Sequence, residues 1–371
     1  MKIGILTLPL HTNYGGILQA YALQTVLERM GHQVVVFNHK RQFFFPLWKL
    51  PLSYAKRILK KYFLGRKDIR VFAEHYQKRE YAIISQRTQK FIDTYIHSYY
   101  VKSFRSLSVV DFDAIVVGSD QVWRPKYFTY LFNSNIQNAF LSFARKWNVK
   151  RVSYAASFGT DDWEYTIEQT KVCTDLIKFF DLVTVREESA IKLCKDKLGV
   201  DALHVLDPTM LLTKDDYIQL FEVANTPKSA GNLLTYILDE TSDKLELINQ
   251  LSKEKGLIPF SVNSRIGNTH ISAEDRIQPS VETWLRGFYD AEFIITDSFH
   301  ACVFSIIFGK PFVVIGNEER GMARFKSLLK MFGLEKCLIS SIKDYKANNC
   351  DYTKLREYQN YSLKLLSEAL W

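Results

Sequence analysis

Short apolar runs alternate with longer segments of mixed polarity along most of the chain. The clearest example starts at Phe293–Thr296 (FIIT), continues through the apolar segment 301–308 and ends at Phe312–Ile315 (FVVI). Four-residue runs rich in Ile, Val and Phe are typical of strands in a parallel sheet that is covered on both faces. The pattern therefore predicts a strand, a short helix and a second strand in this region.

The same alternation predicts the positions of the strands along the whole chain. The predicted strands are residues 2–8, 33–38, 114–117, 150–155, 182–185, 204–206, 233–238, 259–262, 293–296, 312–315 and 337–339. Helical segments separate most of them, which indicates an α/β protein. Because 371 residues exceed one typical core, we expect two domains, 1–212 and 213–345. A last segment, 346–371, is expected to form a helix that crosses back to the first domain.

Residues 41–100 interrupt this rhythm with a basic and aromatic sequence. They predict two or three amphipathic helices, inserted in the first domain at about 42–105. A basic face opposite Phe, Trp and Leu in this region suits a membrane surface, and segment 54–61 is its basic helical part. We favour the alternative, a helical cap that buries its apolar face inside the protein, because that is the usual arrangement in globular proteins.

The composition of the chain limits which binding partners and which cellular compartment we expect. The formal charge of +9 favours anionic partners such as phosphorylated donors, acidic glycans or the inner membrane face. No nucleic-acid-binding motif is recognisable. The five cysteines are far apart and odd in number, which suits a reducing cytoplasm and gives neither disulfide nor metal-ligand spacing. No apolar run reaches the ~20 residues of a membrane helix, and the start does not read as a signal peptide. We therefore expect a cytoplasmic protein, with peripheral membrane contact as an option.

Two polar segments follow predicted strands of the first domain. The first is Asn13, Tyr14, Gly15 and Gly16, at the end of a polar loop. Its glycines allow the backbone to approach a ligand, although an ordinary turn explains them equally well. The dinucleotide motif GxGxxG is absent.

The second segment is GSDQVW, in which Asp120 and Gln121 are suited to hydrogen bonds with sugar hydroxyls. The indole of Trp123 is suited to stacking on a sugar ring. The alternative is a Ser/Asp helix cap over a core tryptophan.

Cationic and ionisable side chains are predicted at further strand ends. Arg186 follows strand 182–185, where a guanidinium can bind carboxylate or phosphate, unless it forms a surface ion pair with Glu187 or Asp181. In the second domain, Asp297, Ser298 and His300 follow strand 293–296. Ligands of such sheets bind beyond the carboxyl ends of the strands, where the first helical amides can meet an anion.

Six motifs in one order resemble the polysaccharide pyruvyl transferase family. They are NYGGILQAYALQ, GSDQVW, SYAASFG, VREES, VLDPT and TDSFHACVFSIIFGKPF. The resemblance implies a GT-B-like architecture of two Rossmann-type domains that face each other across a cleft. It implies transfer of pyruvate from phosphoenolpyruvate to two hydroxyls of a sugar, which forms a cyclic ketal. Phosphoenolpyruvate is then a co-substrate, and neither a cofactor nor a metal is required.

The resemblance also assigns donor contacts. Relatives bind the donor with an arginine after a first-domain strand, which Arg186 matches, and with an Arg-x-His at the second-domain tip. Here His300 is retained, whereas Ser298 stands at the arginine position. We expect Arg265 or Arg324 to supply the missing cation.

Chemistry then suggests roles for the remaining candidates. His300 is the expected general acid or base, because an imidazole titrates near neutrality, although a lone histidine here would otherwise be read as structural. Asp297 is expected to orient the His300 ring or to cap the helix, and Asp120 is the candidate base for the acceptor. The expected acceptor is a sugar or a lipid-linked oligosaccharide, bound by the Asn13–Gly16 segment, Gln121 and Trp123.

Two other functions fit the same sequence. A GT-B glycosyltransferase that uses a nucleotide sugar would need a carboxylate for the donor ribose, for which Glu318 and Glu319 are available. A non-catalytic glycan-binding subunit of a polysaccharide synthesis complex would explain Ser298 and the basic helices. Fold alone does not decide among these functions.

Overall fold

A computed structural model describes residues 1–39, 50–63, 71–266, 268, 271–316, 322–340, 344–345 and 350–371. The first sheet consists of β1 (Lys2–Leu6), β2 (Gln33–Asn38), β3 (Ser98–Tyr100), β4 (Ala114–Val117), β5 (Lys150–Ala156), β6 (Leu182–Val185) and β7 (Leu203–His204). Its helices are α1 (Tyr14–Arg29), α2 (Leu50–Tyr62), α3 (Ala73–Tyr95), α4 (Pro125–Phe132), α5 (Ile167–Ile177) and α6 (Glu188–Leu193). The strand order is β3-β2-β1-β4-β5-β6-β7.

The second sheet is smaller and follows helix α7 (Lys214–Val223). Its strands are β8 (Leu233–Tyr236), β9 (Pro259–Phe260), β10 (Phe293–Thr296), β11 (Phe312–Ile315) and β12 (Leu338–Ile339), in the order β12-β11-β10-β8-β9. The helices are α8 (Ser242–Lys255), α9 (Val281–Asp290), α10 (Phe299–Ile307), α11 (Ala323–Phe332) and α12 (Leu355–Leu370).

Every strand pairing among the described residues is parallel. The runs AIVV of β4, FIIT of β10 and FVVI of β11 are buried at all four positions, as expected for strands covered on both faces. The prediction of an α/β protein with two parallel sheets is confirmed, and the carboxyl ends of the strands collect the polar segments discussed above.

Two helices begin earlier than the apolar pattern predicts. Helix α1 starts at Tyr14, after Asn13 in an extended conformation, so Gly15 and Gly16 belong to its first turn instead of a loop. Helix α10 starts at Phe299, which places His300 in its first turn. Polar and small residues tolerate a first turn well, and they carry no apolar signal that would mark the boundary.

The insertion differs from the helical cap that we favoured. Besides α2 and α3 it supplies β3, which pairs with β2 through Ser98, Tyr99 and Tyr100 and forms the edge of the sheet. The apolar side of α2, including Leu52 and Leu59, is exposed instead of buried within the protein. The expectation of an internally packed apolar face is therefore wrong for this helix.

The two sheets contact each other through the start of α1 and through α12. Tyr14 stacks on Trp284 of α9, with ring centroids 5.2 Å apart, and its hydroxyl donates to the Pro279 carbonyl at 2.7 Å. In α12, Gln359 donates to the Met210 carbonyl, and Ser362 accepts from the Leu206 amide. Among the described residues no helix combines the length and apolarity that crossing a bilayer requires.

We expect Tyr14→Phe to lower the free energy of unfolding by about 1 to 3 kcal/mol. The substitution leaves the partly buried Pro279 carbonyl without this donor, while ring stacking is retained. Denaturant unfolding measures the change, and Tyr130→Phe at an exposed hydroxyl is the control. Equal stabilities for Tyr14→Phe and the wild type would contradict the contact between the sheets.

Candidate active site

A cavity of about 470 Å³ lies between the two sheets, at the carboxyl ends of their strands. The first sheet contributes the segment that joins β1 to α1, the tip of β4 and the outer side of α4. The second sheet contributes the tip of β10, the start of α10 and two residues from α11, Arg324 and Phe325. This is the position at which parallel sheets bind ligands.

His300 occupies the centre of this cavity wall, in the first turn of α10. The start of α1 approaches its ring so closely that a Cβ atom on Gly15 would lie 2.0 Å from His300 Nδ1. Only a residue without a side chain fits there, so the glycine is required by contact with the opposite domain. A side chain on Gly16 would meet nothing nearer than 3.4 Å.

The protonation of His300 is controlled by burial and by mixed charges. The pKa of His300 is lowered to about 4, and the largest cause is burial. Arg186 and Arg324 also lower this pKa, whereas Asp207 and Asp120 raise it. The ring atom Nε2 lies 3.8 Å from Asp207 Oδ2 and makes no hydrogen bond within the described structure. The imidazole is therefore neutral at pH 7.

Arg186 is buried behind the cavity in a cluster of carboxylates. Its guanidinium donates to Asp207 Oδ2 at 2.7 Å, to Ser119 Oγ at 3.2 Å and to Asp120 Oδ1 at 3.3 Å. Its Nε lies 3.9 Å from a carboxylate oxygen of Glu187. The side chain is 1% exposed and does not line the cavity, so its charge is used to hold these acids in place.

Asp120 holds its position at the tip of β4 in a backbone conformation that is uncommon for side chains. Its φ is +65°, in the left-handed region, where aspartate is tolerated better than most residues. Burial raises the pKa of its carboxyl, but Arg186, His300 and Arg324 together outweigh burial, and the pKa is lowered. Asp120 therefore stays ionised and is a weak base.

Arg324 brings a guanidinium to the lining of the cavity itself. It is buried, and burial together with repulsion from Arg186 lowers its pKa to about 10, so it remains charged at pH 7. The guanidinium carbons of Arg186 and Arg324 lie 4.8 and 5.5 Å from the centroid of the Phe299 ring. Cation–π attraction to one ring fixes both cations beside the start of α10.

Most of the sequence-derived candidates meet at this cavity. Its lining includes Asn13, Gly15, Gly16, Asp120, Gln121, Asp297, Ser298, His300 and Arg324. Four candidates lie elsewhere, namely Tyr14, Trp123, Arg186 and Arg265.

The two aromatic candidates, Trp123 and Tyr14, belong to the hydrophobic core and do not line the cavity. Trp123 is fully buried, stacks on Phe140 and donates through Nε1 to the Ala139 carbonyl. Tyr14 is buried against Trp284. A sugar in the cavity does not reach either ring, so neither residue is suited to the acceptor contact predicted for it.

The charged candidates also require correction. Arg265 is 68% exposed and pairs with Glu240 at 2.9 Å, away from the cavity. The carboxylate of Asp297 accepts from the Leu238 amide at 2.7 Å and from Lys244 Nζ at 2.7 Å. Asp297 thus fixes the segment after β8 and neither orients the ring of His300 nor caps α10.

Several residues of this site were not among the candidates. Asp207 follows the two-residue strand β7 and touches both Arg186 and His300. The sequence VLDPT places Asp207 directly after an apolar run, and this position could have identified it as a residue at a strand end. Tyr127 and Tyr130 of α4 and Gln278 line the cavity, but nothing in their local sequence distinguishes them from surface or core residues.

Solved structures of similar fold were found for the whole chain. UDP-GlcNAc 2-epimerase from Neisseria meningitidis, bound to UDP-GlcNAc, aligns with a TM-score of 0.50 and 11% identity over 100% of this chain and 99% of that chain. UDP-GlcNAc 2-epimerase from Methanocaldococcus jannaschii gives a TM-score of 0.50 and 12% identity over 99% and 100%. E. coli heptosyltransferase WaaC with ADP gives a TM-score of 0.39 and 12% identity over 100% of both chains.

Together with the two parallel sheets and the cavity between them, the two epimerase alignments define a two-domain protein of the GT-B fold. A comparison with curated protein sequences gave no match. The model of the polysaccharide pyruvyl transferase family matches residues 13–319, most of the chain, and the protein belongs to this family.

We expect Gly15→Ala to displace the His300 ring, because the new methyl group would overlap it. The NMR signals of the His300 imidazole should shift, and its pKa should rise towards the ordinary value as the ring leaves its buried position. Gly16→Ala is the matched control, since its methyl group meets only ordinary contacts. Identical His300 titration in both variants would show that the contact is absent.

His300 also predicts a pH dependence of stability. The unfolded chain protonates this imidazole near pH 6.5, whereas the folded protein does so near pH 4. Between these values the unfolded state binds more protons, so stability should fall as the pH is lowered, by up to about 1.4 kcal/mol per unit. Denaturant unfolding at pH 7 and pH 5 should show a smaller loss for His300→Asn than for the wild type. Equal losses would contradict the lowered pKa.

Proposed function

We propose that the protein transfers a pyruvyl group from phosphoenolpyruvate to a sugar of a surface polysaccharide or exopolysaccharide, or to a precursor of one, and forms a cyclic ketal. Family membership supports the reaction class. The observation that carries the proposal is a single cavity in which a neutral imidazole, a buried guanidinium and a helix N-terminus meet.

The donor is a small molecule with a carboxylate and a phosphate, so it needs at least two anion contacts. Arg324 is the guanidinium that lines the cavity, and it is fixed against Phe299. The start of α10 offers amides that have no partner within the helix, and Ser298 at its N-cap makes no capping hydrogen bond with its side chain. We assign donor binding to Arg324, Ser298 and these amides.

This assignment moves the donor contact away from two earlier candidates. Arg265 points away from the cavity, and Arg186 already binds the carboxylates of Asp207 and Asp120. Arg186 therefore acts indirectly, since it keeps Asp120 ionised and contributes to the low pKa of His300.

Proton transfer is assigned to His300. An anionic donor beside the ring raises its pKa, so the imidazole binds a proton together with the donor. His300 then gives this proton to the methylene carbon and takes one from the first acceptor hydroxyl as that oxygen bonds to the central carbon. The bond between the central carbon and the phosphate oxygen then breaks, and the leaving phosphate takes the proton that His300 holds. The second hydroxyl bonds to the same carbon and gives its proton to the imidazole, which completes the ketal. Asp120 is suited to hold an acceptor hydroxyl by a hydrogen bond, because its ionised carboxylate is a weak base.

The acceptor enters along the first-domain side of the cavity. Asn13 and Gln121 offer amides there, and the rings of Tyr127 and Tyr130 take the stacking role that Trp123 does not fill. Tyr130 is largely exposed at this side, which suits contact with an extended or lipid-linked oligosaccharide. Phosphoenolpyruvate is the co-substrate, and no cofactor enters this scheme. The five free cysteines fit work in the cytoplasm.

Thermal melting with ligands tests the donor. Phosphoenolpyruvate should raise the melting temperature by mass action, whereas nucleotide sugars such as UDP-GlcNAc should not. Arg324→Gln should abolish the shift, because it removes the guanidinium of the cavity. Arg265→Gln is the matched control and should retain the shift.

A shift with a nucleotide sugar instead would favour the glycosyltransferase function. The carboxylates Glu318 and Glu319, considered for that function, lie outside the described residues. Turnover is tested by phosphate release in the presence of an acceptor, and His300→Asn should lower it at least a hundredfold. Release at the wild-type rate would remove His300 from the mechanism. No shift with either donor class, and no release, would favour a non-catalytic glycan-binding role.

A further inference from the structure

Helix α2 presents its apolar side to solvent. The exposed fractions of Leu52, Ile58, Leu59, Tyr62 and Phe63 range from 42% to 78%. Leu52, Leu59 and Tyr62 are spaced by seven and three residues, which places them on one side of the helix. A protein in water rarely exposes so many large apolar side chains together unless the patch has a partner.

The orientation of α2 is fixed by contacts of Arg57 and Tyr54, which lie on the side opposite Leu52 and Leu59. Arg57 donates to the buried carboxylate of Glu74 at 2.6 Å and to the Val71 carbonyl at 3.2 Å. The ring of Tyr54 packs edge-on against Phe72, with centroids 5.1 Å apart. These contacts hold the helix by its polar side against the start of α3, and the apolar side therefore faces outwards.

The charge of α2 complements an anionic surface. The helix contains Lys56, Arg57, Lys60 and Lys61 and no acidic residue. Lys56 and Lys60 are exposed and lie beside the apolar side, where their chains can extend to phosphate groups while the apolar residues enter the lipid. An acidic protein would match the charges, but it would not by itself account for the breadth of the apolar side.

The exposed side of α2 is connected to the cavity through α3. Glu74, which holds α2, lies in the first turn of α3. Ten residues further, or about 15 Å along the helix, the Ile84 carbonyl accepts from the amide of Gln278, which lines the cavity. Helix α3 thus links the contact that holds α2 to a residue in the lining of the cavity.

We propose that the apolar side of α2 and its flanking lysines dock the protein onto the anionic surface of a lipid bilayer. Docking there presents the cavity to acceptors that are carried by lipid, a consequence that rests on the proposed function. The docking itself requires neither donor nor acceptor.

Flotation with lipid vesicles tests the proposal. The full-length protein should bind vesicles that contain phosphatidylglycerol, bind pure phosphatidylcholine weakly, and dissociate as salt screens the charges. Leu59→Glu should weaken binding at least tenfold, since it removes an inserted side chain and adds a charge. Leu245→Glu on α8 is the matched control, because Leu245 is exposed to a similar extent, 49% against 53%. A double change, Lys56→Gln with Lys60→Gln, should weaken binding roughly 30-fold.

Three results would overturn the proposal. They are failure of the wild type to bind phosphatidylglycerol vesicles at low salt, equal binding by the Leu59→Glu and Leu245→Glu variants, and binding that does not respond to salt. A wild-type dimer that Leu59→Glu converts to a monomer, without vesicle binding, would assign the patch to a second copy of the chain. Loss of vesicle binding with an intact thermal shift from phosphoenolpyruvate would leave the proposed transferase function unaffected.

Discussion

The site depends on a buried cluster in which one guanidinium holds two carboxylates from different strand ends. Arg186, after β6, binds Asp120 after β4 and Asp207 after β7. Removing Arg186 would leave two buried acids without their shared partner, which costs several kcal/mol in typical cases. The cluster also sets the electrostatics of the cavity. Arg186 keeps Asp120 ionised and, together with burial, lowers the pKa of His300, although Asp207 and Asp120 raise it. The arginine that resembles a donor ligand in the sequence thus supports the site from behind.

The departure from the family pattern has a structural counterpart. Ser298 stands at the position where relatives carry an arginine, and Arg324 reaches the same cavity from α11. Phe299 contacts the guanidinium groups of both Arg186 and Arg324, so one ring fixes the positions of both cations. A cation lost from one helix and supplied by another keeps the positive charge in the cavity while it changes the direction from which an anion is bound. Under the proposed function, Arg324 would supply the donor cation that the motif lacks.

The sequence predicts the sheets well and the site only in part. Runs such as those of β10 and β11 are easily predicted as strands, because nearly every position of a strand buried on both faces is apolar. His300 and Asp120 could be predicted because strand ends meet at one edge of a sheet. The burial of Trp123 and the partners of Asp297 could not, since they depend on which distant residues pack against them. The exposure of the apolar side of α2 also could not be predicted from the sequence. An amphipathic pattern does not show which side of a helix packs against the rest of the protein.

The close approach of Gly15 to His300 joins the catalytic candidate to the relative position of the two domains. The imidazole is shielded from water partly by a helix that belongs to the other sheet. If the domains separate to admit an acceptor, the ring becomes hydrated and its affinity for protons returns towards that of free histidine. Closure then removes this water and lowers the proton affinity of the ring again. The separation of the domains and the proton affinity of a single ring are therefore coupled, and the coupling would be largest below pH 7, where hydrated histidine is protonated.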